Sequence, residues 1–182
     1  RLWYVPLSAA FAALCFFTKQ DAGGLALMLS LALLAVSFIQ NKDFKAPLFF
    51  IGGYVVMLGI LILPLLRYDF SYWFNLGQPP HYSRVNSYHF VTAFFEESLW
   101  LKFYLGAMLV ILLTRYKSFK EFWNDRLFLL YTLLTAGILV QAMIIQVTSF
   151  SPPTVNYYYH TFGVAYLMYA LKEKIAFEKL WI

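Results

Sequence analysis

Six runs of almost unbroken apolar residues, at about 2–17, 22–39, 47–66, 99–114, 127–148 and 157–171, leave this 182-residue chain few structures to choose from. A helix rises ~1.5 Å per residue, so crossing a hydrocarbon layer of ~30 Å takes roughly 17–25 apolar residues. Within that layer every backbone N–H and C=O must be bonded inside the protein, which leaves helices or a closed barrel. A barrel would alternate in segments of about ten residues between turns, and no such pattern is visible. The runs therefore predict an all-α integral membrane protein with about six transmembrane helices. Composition agrees: 62% of residues are hydrophobic, 13% are charged, and mean hydropathy is +0.65, far from a soluble domain.

The first, fourth and sixth runs are short, so their ends are expected to include polar residues facing protein or water. Asn41-Lys42-Asp43 marks a turn, Pro47 opens the third run where a first-turn proline is tolerated, and Pro152-Pro153 breaks the chain before the last run. Residues 1–182 read as one polytopic domain without repeats or low-complexity linkers. The chain enters an apolar run at Arg1 without a signal pattern, so it reads as part of a longer protein. The single cysteine, Cys15, allows neither an intrachain disulfide nor a cysteine metal cluster.

Alternating the connections between two sides sorts the cations. Arg1, Lys42, Lys45, Arg115, Lys117, Lys120, Arg126, Lys172, Lys174 and Lys179 fall on one side; Lys19, Arg67, Arg84 and Lys102 fall on the other. Ten against four accounts for all 14, and the positive-inside rule makes the first side cytoplasmic. The net charge of +5 is then explained by juxtamembrane cations facing anionic lipid, without nucleic acid. The outer side receives "FFTKQDAGG", the long connection "RYDFSYWFNLGQPPHYSRVNSYHFVTAFFEES" and "SFSPPTVNYYYH", and with them His81, His89 and His160.

Three places there carry chemistry. Lys19-Gln20-Asp21 interrupts two apolar runs, and an Asp or Lys at the bilayer centre costs roughly 2.5–3.5 kcal/mol, so this triplet belongs at a boundary or in a wet cavity. Gly23-Gly24 behind it permits close approach by a ligand or another backbone. "FNLGQPPHYSR", Phe74 to Arg84, is irregular by its glycine and paired prolines and strings His81, Tyr82, Ser83 and Arg84 together; arginine forks onto phosphate and tyrosine packs on sugar. Phe90, Val91, Phe94 and Phe95 before Glu96-Glu97 predict a short amphipathic helix over 90–97 in the outer interface. A metal site from His81, His89, His160, Asp69, Glu96 and Glu97 lacks helical ligand spacing, so no metal or other cofactor is expected. Neither a Ser-His-Asp signature, a phosphate-cradling glycine loop nor a dinucleotide fingerprint is present.

"FFTKQDAGGLALMLSLALL" is similar to the lysine-containing outer turn of the GT-C membrane glycosyltransferases, in the branch of protein O-mannosyltransferases and aminoarabinose transferases. "VNYYYHTFGVAYLMYAL" resembles the aromatic segment before a late helix of that branch, and "FNLGQPPHYSR" sits where those proteins have an extracytoplasmic loop. The resemblance implies the later transmembrane part of an enzyme of the bacterial inner membrane, moving a sugar from a polyprenyl-phosphate donor to an acceptor outside the cytoplasm. It implies Lys19 and Arg84 as phosphate ligands, and Gln20, Asp21, His81, Tyr82, Tyr159 and His160 as the wall against sugar or acceptor. The family's catalytic aspartate belongs to a loop that would precede Arg1. A non-catalytic subunit packed in a larger membrane complex is the rival reading. A transporter ranks below both, because no helix interior carries paired charges.

Overall fold

The computed structural model describes residues 2–68, 87–149 and 158–172, and among these every regular element is helical. The chain divides into two compact units, Arg1–Val85 and Asn86–Ile182.

In the first unit, α1 (Tyr4–Thr18), α2 (Gln20–Asn41) and α3 (Lys45–Ile62, continued by a 3-10 turn over Leu63–Leu65) follow one another with minimal connections. Small residues set the packing of α1 on α3. Ala9 and Ala13, one turn apart on α1, are fully buried, and a Cβ on Gly53 of α3 would stand 3.0 Å from the Pro6 Cα and 3.3 Å from the Ala9 Cβ. Such small-residue seams let helix backbones approach closely where dispersion rather than hydrophobicity drives association. Ala9, Ala12 and Phe50 form the centre, with Val5, Leu27, Leu34 and Tyr54 against it. The turn foreseen at 41–43 is there. Lys42 takes a left-handed conformation (φ 56°) and donates its N–H to the Phe38 carbonyl, while Asp43 Oδ1 accepts the N–H of Lys45. A non-glycine residue tolerates that conformation as a single helix-ending cap.

The second unit holds α4 (Ser87–Thr92), which widens into a π turn over Ala93–Glu97, then α5 (Leu99–Arg115), a short α6 (Phe119–Asn124), α7 (Arg126–Ser149) and α8 (Tyr158–Leu171). Its core is read from three helical stripes: Leu101, Tyr104, Met108 and Ile111 on α5; Phe128, Thr132, Thr135, Leu139, Ala142 and Gln146 on α7; Tyr159, Gly163, Tyr166 and Ala170 on α8. Spacings of three and four place each set on one face. Two capping side chains start α6 and α7: Ser118 Oγ accepts the Glu121 N–H at 3.3 Å, and Asp125 Oδ1 accepts the Phe128 N–H at 3.2 Å.

Each of the six apolar runs carries a helix, but fewer than six are long enough to cross a membrane. Ala22–Asn41, Lys45–Leu65 and Arg126–Val147 meet the length and hydropathy of a span; Ser87–Glu97 with Leu99–Arg115 makes a fourth if the bent pair counts as one. The shortfall is in length. The 15 residues of α1 reach only ~22 Å and the 14 of α8 ~21 Å, short of the ~30 Å hydrocarbon layer. The amphipathic helix expected over 90–97 begins earlier, at Ser87, and ends in the π turn rather than as regular α-helix. Within the first unit, the side of α3 carrying Leu48, Ile51, Val55, Val56 and Ile60 is apolar and exposed, as a lipid-facing surface would be.

Candidate functional site

The two halves of α4–α5 meet at 78° around Ser98, whose backbone (φ −101°, ψ 54°) is not helical. The π turn closes through the Ser98 N–H onto the Ala93 carbonyl at 2.8 Å. A break of this kind strands carbonyl groups, and Lys102 serves one of them: its Nζ donates to the Phe95 carbonyl at 2.6 Å. π turns inside helices recur at functional positions.

Polar and aromatic side chains gather at this bend. Gln146 on α7 donates through Nε2 to Glu97 Oε2 at 3.4 Å, tying the end of the π turn to α7. Trp100 stacks on Tyr159 of α8, centroids 3.8 Å apart and planes at 23°. Tyr104 Oη and His160 Nδ1 share a hydrogen bond of 2.9 Å, and the Trp100 ring stands edge-on to His160 at 6.4 Å. Ser98 is fully buried and Gln146 nearly so, yet Ser98 Oγ, Trp100 Nε1 and Gln146 Oε1 find no hydrogen-bond partner among the described residues. Buried polar atoms are bonded in the great majority of cases, and leaving one unmade costs about 1–3 kcal/mol. The trio is chemically mixed. Gln146 Oε1 only accepts, Trp100 Nε1 only donates, and the Ser98 hydroxyl does both. A cation would serve the first and repel the second; an O–H group serves both.

Tyr159 and His160 are thus the two expected site residues that the fold brings together, side by side at the start of α8. Lys19 and Gln20 are exposed where α1 meets α2, in the other unit. The single residue Lys19, extended at φ −151° and ψ 107°, separates the two helices; it donates its N–H to Cys15 and accepts that of Gly23. Of the two glycines behind it, Gly23 serves the chain itself. A Cβ on Gly23 would fall on the backbone of Phe16 and lie 2.6 Å from the Cys15 carbonyl carbon, whereas one on Gly24 would meet nothing. Asp21 belongs to the first turn of α2, and its side chain lies outside the described residues, as do His81, Tyr82 and Arg84. Among the described residues no three His, Cys, Asp or Glu side chains come together to hold a metal ion.

Sequence reasoning passed over Ser98, Trp100, Tyr104 and Gln146. The signal for Trp100 and Tyr104 was their spacing on α5, four residues apart and so on one face; nothing in the local pattern marks Gln146 as a partner of Glu97, 49 positions away. No family model, characterised protein or solved structure matches this chain.

Proposed function

We propose that this chain is the membrane-embedded later part of a GT-C-type glycosyltransferase. It moves a sugar from a polyprenyl-phosphate donor to an acceptor on the extracytoplasmic side of a bacterial inner membrane. The observation that carries the reading is the Ser98 bend. Its buried donor and acceptor, unpartnered among the described residues beside stacked Trp100 and Tyr159, match the alternating O–H groups and flat C–H faces of a sugar. In the transfer, the acceptor oxygen forms a bond to the anomeric carbon as the bond to the phosphate oxygen breaks. The acceptor's proton goes to a base, and polyprenyl phosphate leaves. Charge grows on that leaving group, and Lys19, an exposed ammonium at a helix junction, is the side chain proposed to stabilise it. From the sequence resemblance, Arg84 is proposed as a second phosphate ligand, and Gln20, Asp21, His81, Tyr82, Tyr159 and His160 are proposed as contacts to sugar or acceptor.

The test is transfer by the full-length protein from polyprenyl-phosphate-linked sugars to an endogenous membrane acceptor, with Gln146→Leu and Ser98→Ala compared against wild type. Both variants should lose transfer by about tenfold or more. Ser98→Ala should remain as heat-stable as wild type, because it removes a bond made to substrate rather than to the chain, whereas Gln146→Leu also gives up the bond to Glu97 and should lose about 0.5–1.5 kcal/mol of stability besides. Full transfer by both variants refutes the bend as the sugar site. No transfer by wild type from any such donor refutes the enzyme and leaves the non-catalytic subunit.

A further inference from the structure

The far end of the second unit from Ser98 holds a feature that sugar transfer does not use. Between the end of α5, the start of α7 and the end of α8 lies an open cleft of about 440 Å3, lined by Ile111, Thr114, Arg115, Tyr116, Asp125, Ala170 and Leu171. That volume is in the usual range of ~300–1,000 Å3 for small-ligand sites. Its lining is divided by chemistry. Ile111, Ala170 and Leu171 make an apolar floor towards the helices, and Arg115, Tyr116 and Asp125 make a charged mouth.

The mouth is organised and cationic. Asp125 is fully engaged: Oδ1 caps α7, Oδ2 accepts the Tyr116 hydroxyl at 2.7 Å, and the Arg115 guanidinium lies 3.8 Å from Oδ2. Arg115 is held in place by Nε donating to the Tyr116 hydroxyl at 3.2 Å and by lying over the Phe128 ring at 4.7 Å. Around it, among the described residues of 114–126 and 170–172, five cations (Arg115, Lys117, Lys120, Arg126, Lys172) face two acids (Glu121, Asp125), a surplus of three. Beside the mouth, α6 carries Phe119, Phe122 and Trp123 on one side, with Phe119 exposed, an aromatic face of the kind suited to the level of lipid headgroups.

We infer that this cleft binds one anionic phospholipid, its phosphate at Arg115 and the cationic rim, its glycerol and upper acyl chain along Ile111, Ala170 and Leu171. An arginine fixed by its neighbours is pre-organised to fork onto phosphate, and the apolar floor rewards a ligand with a tail over a free anion. The lipid bridges α5, α7 and α8 where they leave the membrane. The inference is independent of sugar transfer, since it concerns the opposite end of the same helices.

The experiment is native mass spectrometry of the full-length protein from nanodiscs of phosphatidylcholine doped with phosphatidylglycerol, reading retained lipid per chain. Wild type should retain one phosphatidylglycerol in preference to phosphatidylcholine. Arg115→Gln should lower that retention by about tenfold or more. Because Arg115→Gln also leaves Asp125 without its cation, Arg115→Gln/Asp125→Asn is measured beside it, and Leu171→Trp fills the floor without touching charge; both should lose the lipid as well. Equal retention of the two lipids by wild type, or undiminished preference in Leu171→Trp and the double variant, overturns the site. Displacement of the lipid by millimolar inorganic phosphate overturns the lipid in favour of a free-anion site.

Discussion

Replacing Gly163 with alanine would place a methyl group 2.6 Å from Cδ1 and Cε1 of Tyr104 and 2.9 Å from its Cζ. Ordinary carbon contact is ~3.5–4.0 Å, so the ring must retreat by about 1 Å. It has little room, because Tyr104 is buried and its hydroxyl is tied to His160. Overpacking of this kind costs about 1–3 kcal/mol, and losing the hydrogen bond adds about 0.5–1.5. Against this, alanine is the better helix former by about 1 kcal/mol. The net expectation is a loss of about 1–3 kcal/mol, read as a fall of about 2–4 °C in Tm per kcal/mol for the detergent-solubilised protein. The reasoning makes a sharper demand on the pair. With Tyr104→Ala the ring is gone, so Gly163→Ala should become neutral or stabilising in that background, a coupling of about 1–3 kcal/mol. If Gly163→Ala costs as much with Tyr104→Ala as alone, the close approach of α8 to the Tyr104 ring is not what requires glycine.

The two glycines after Lys19 should behave oppositely: Gly23→Ala forces a methyl onto the Phe16 backbone and should lower Tm well below wild type, while Gly24→Ala meets open space and should be neutral or gain up to ~1 kcal/mol. Equal effects would contradict the tight α1–α2 hairpin. Lys19→Ala should abolish most sugar transfer and Lys19→Arg retain part of it, at unchanged Tm; wild-type transfer by Lys19→Ala ends the phosphate role. Burial, with the hydrogen bond to Asp125 next, pushes the Tyr116 hydroxyl up from 10.0 to about 12, so the unfolded chain ionises first and stability falls as pH rises from 10 to 12. Tyr116→Phe should remove that part of the alkaline decline in a Tm-against-pH series, and an unchanged decline refutes the assignment. A thiol introduced by Ser118→Cys should react with an impermeant reagent only after cells are opened; labelling of intact cells would reverse the proposed topology.

Helices were legible because hydrophobic runs and punctuation are local. The turn at Asn41-Lys42-Asp43 and the break at Lys19 fall where side-chain chemistry says they should. The number of spans was less legible, because an apolar run of 15 residues looks like a span until its length is compared with the membrane. Lys102 is instructive. Its position beside an apolar run suggests a lysine reaching for lipid headgroups, but its ammonium turns back to cap a carbonyl freed by the Ser98 bend, which only the π turn creates. Of the proposed site, Tyr159 and His160 were visible as an aromatic run, whereas Gln146 acquires meaning only through Glu97, and Ser98 only through the burial that leaves its hydroxyl without a partner. Those are properties of packing between distant segments, and no local window contains them.

The three long helices of the second unit are keyed to one another by tyrosine hydroxyls, one for each pair. Tyr104 joins α5 to α8 through His160, Tyr166 joins α8 to α7 through Thr132 at 3.1 Å, and Tyr116 joins the end of α5 to the start of α7 through Asp125. A hydroxyl bond tolerates a few tenths of an ångström, while the next equivalent position along a helix is ~5.4 Å away. Sliding any one helix along its neighbours therefore breaks two keys at once. The Ser98 joint is secured separately: a swing of α4 on α5 leaves all three keys closed, and what it has to break are the bonds from Lys102 to the Phe95 carbonyl and from Gln146 to Glu97.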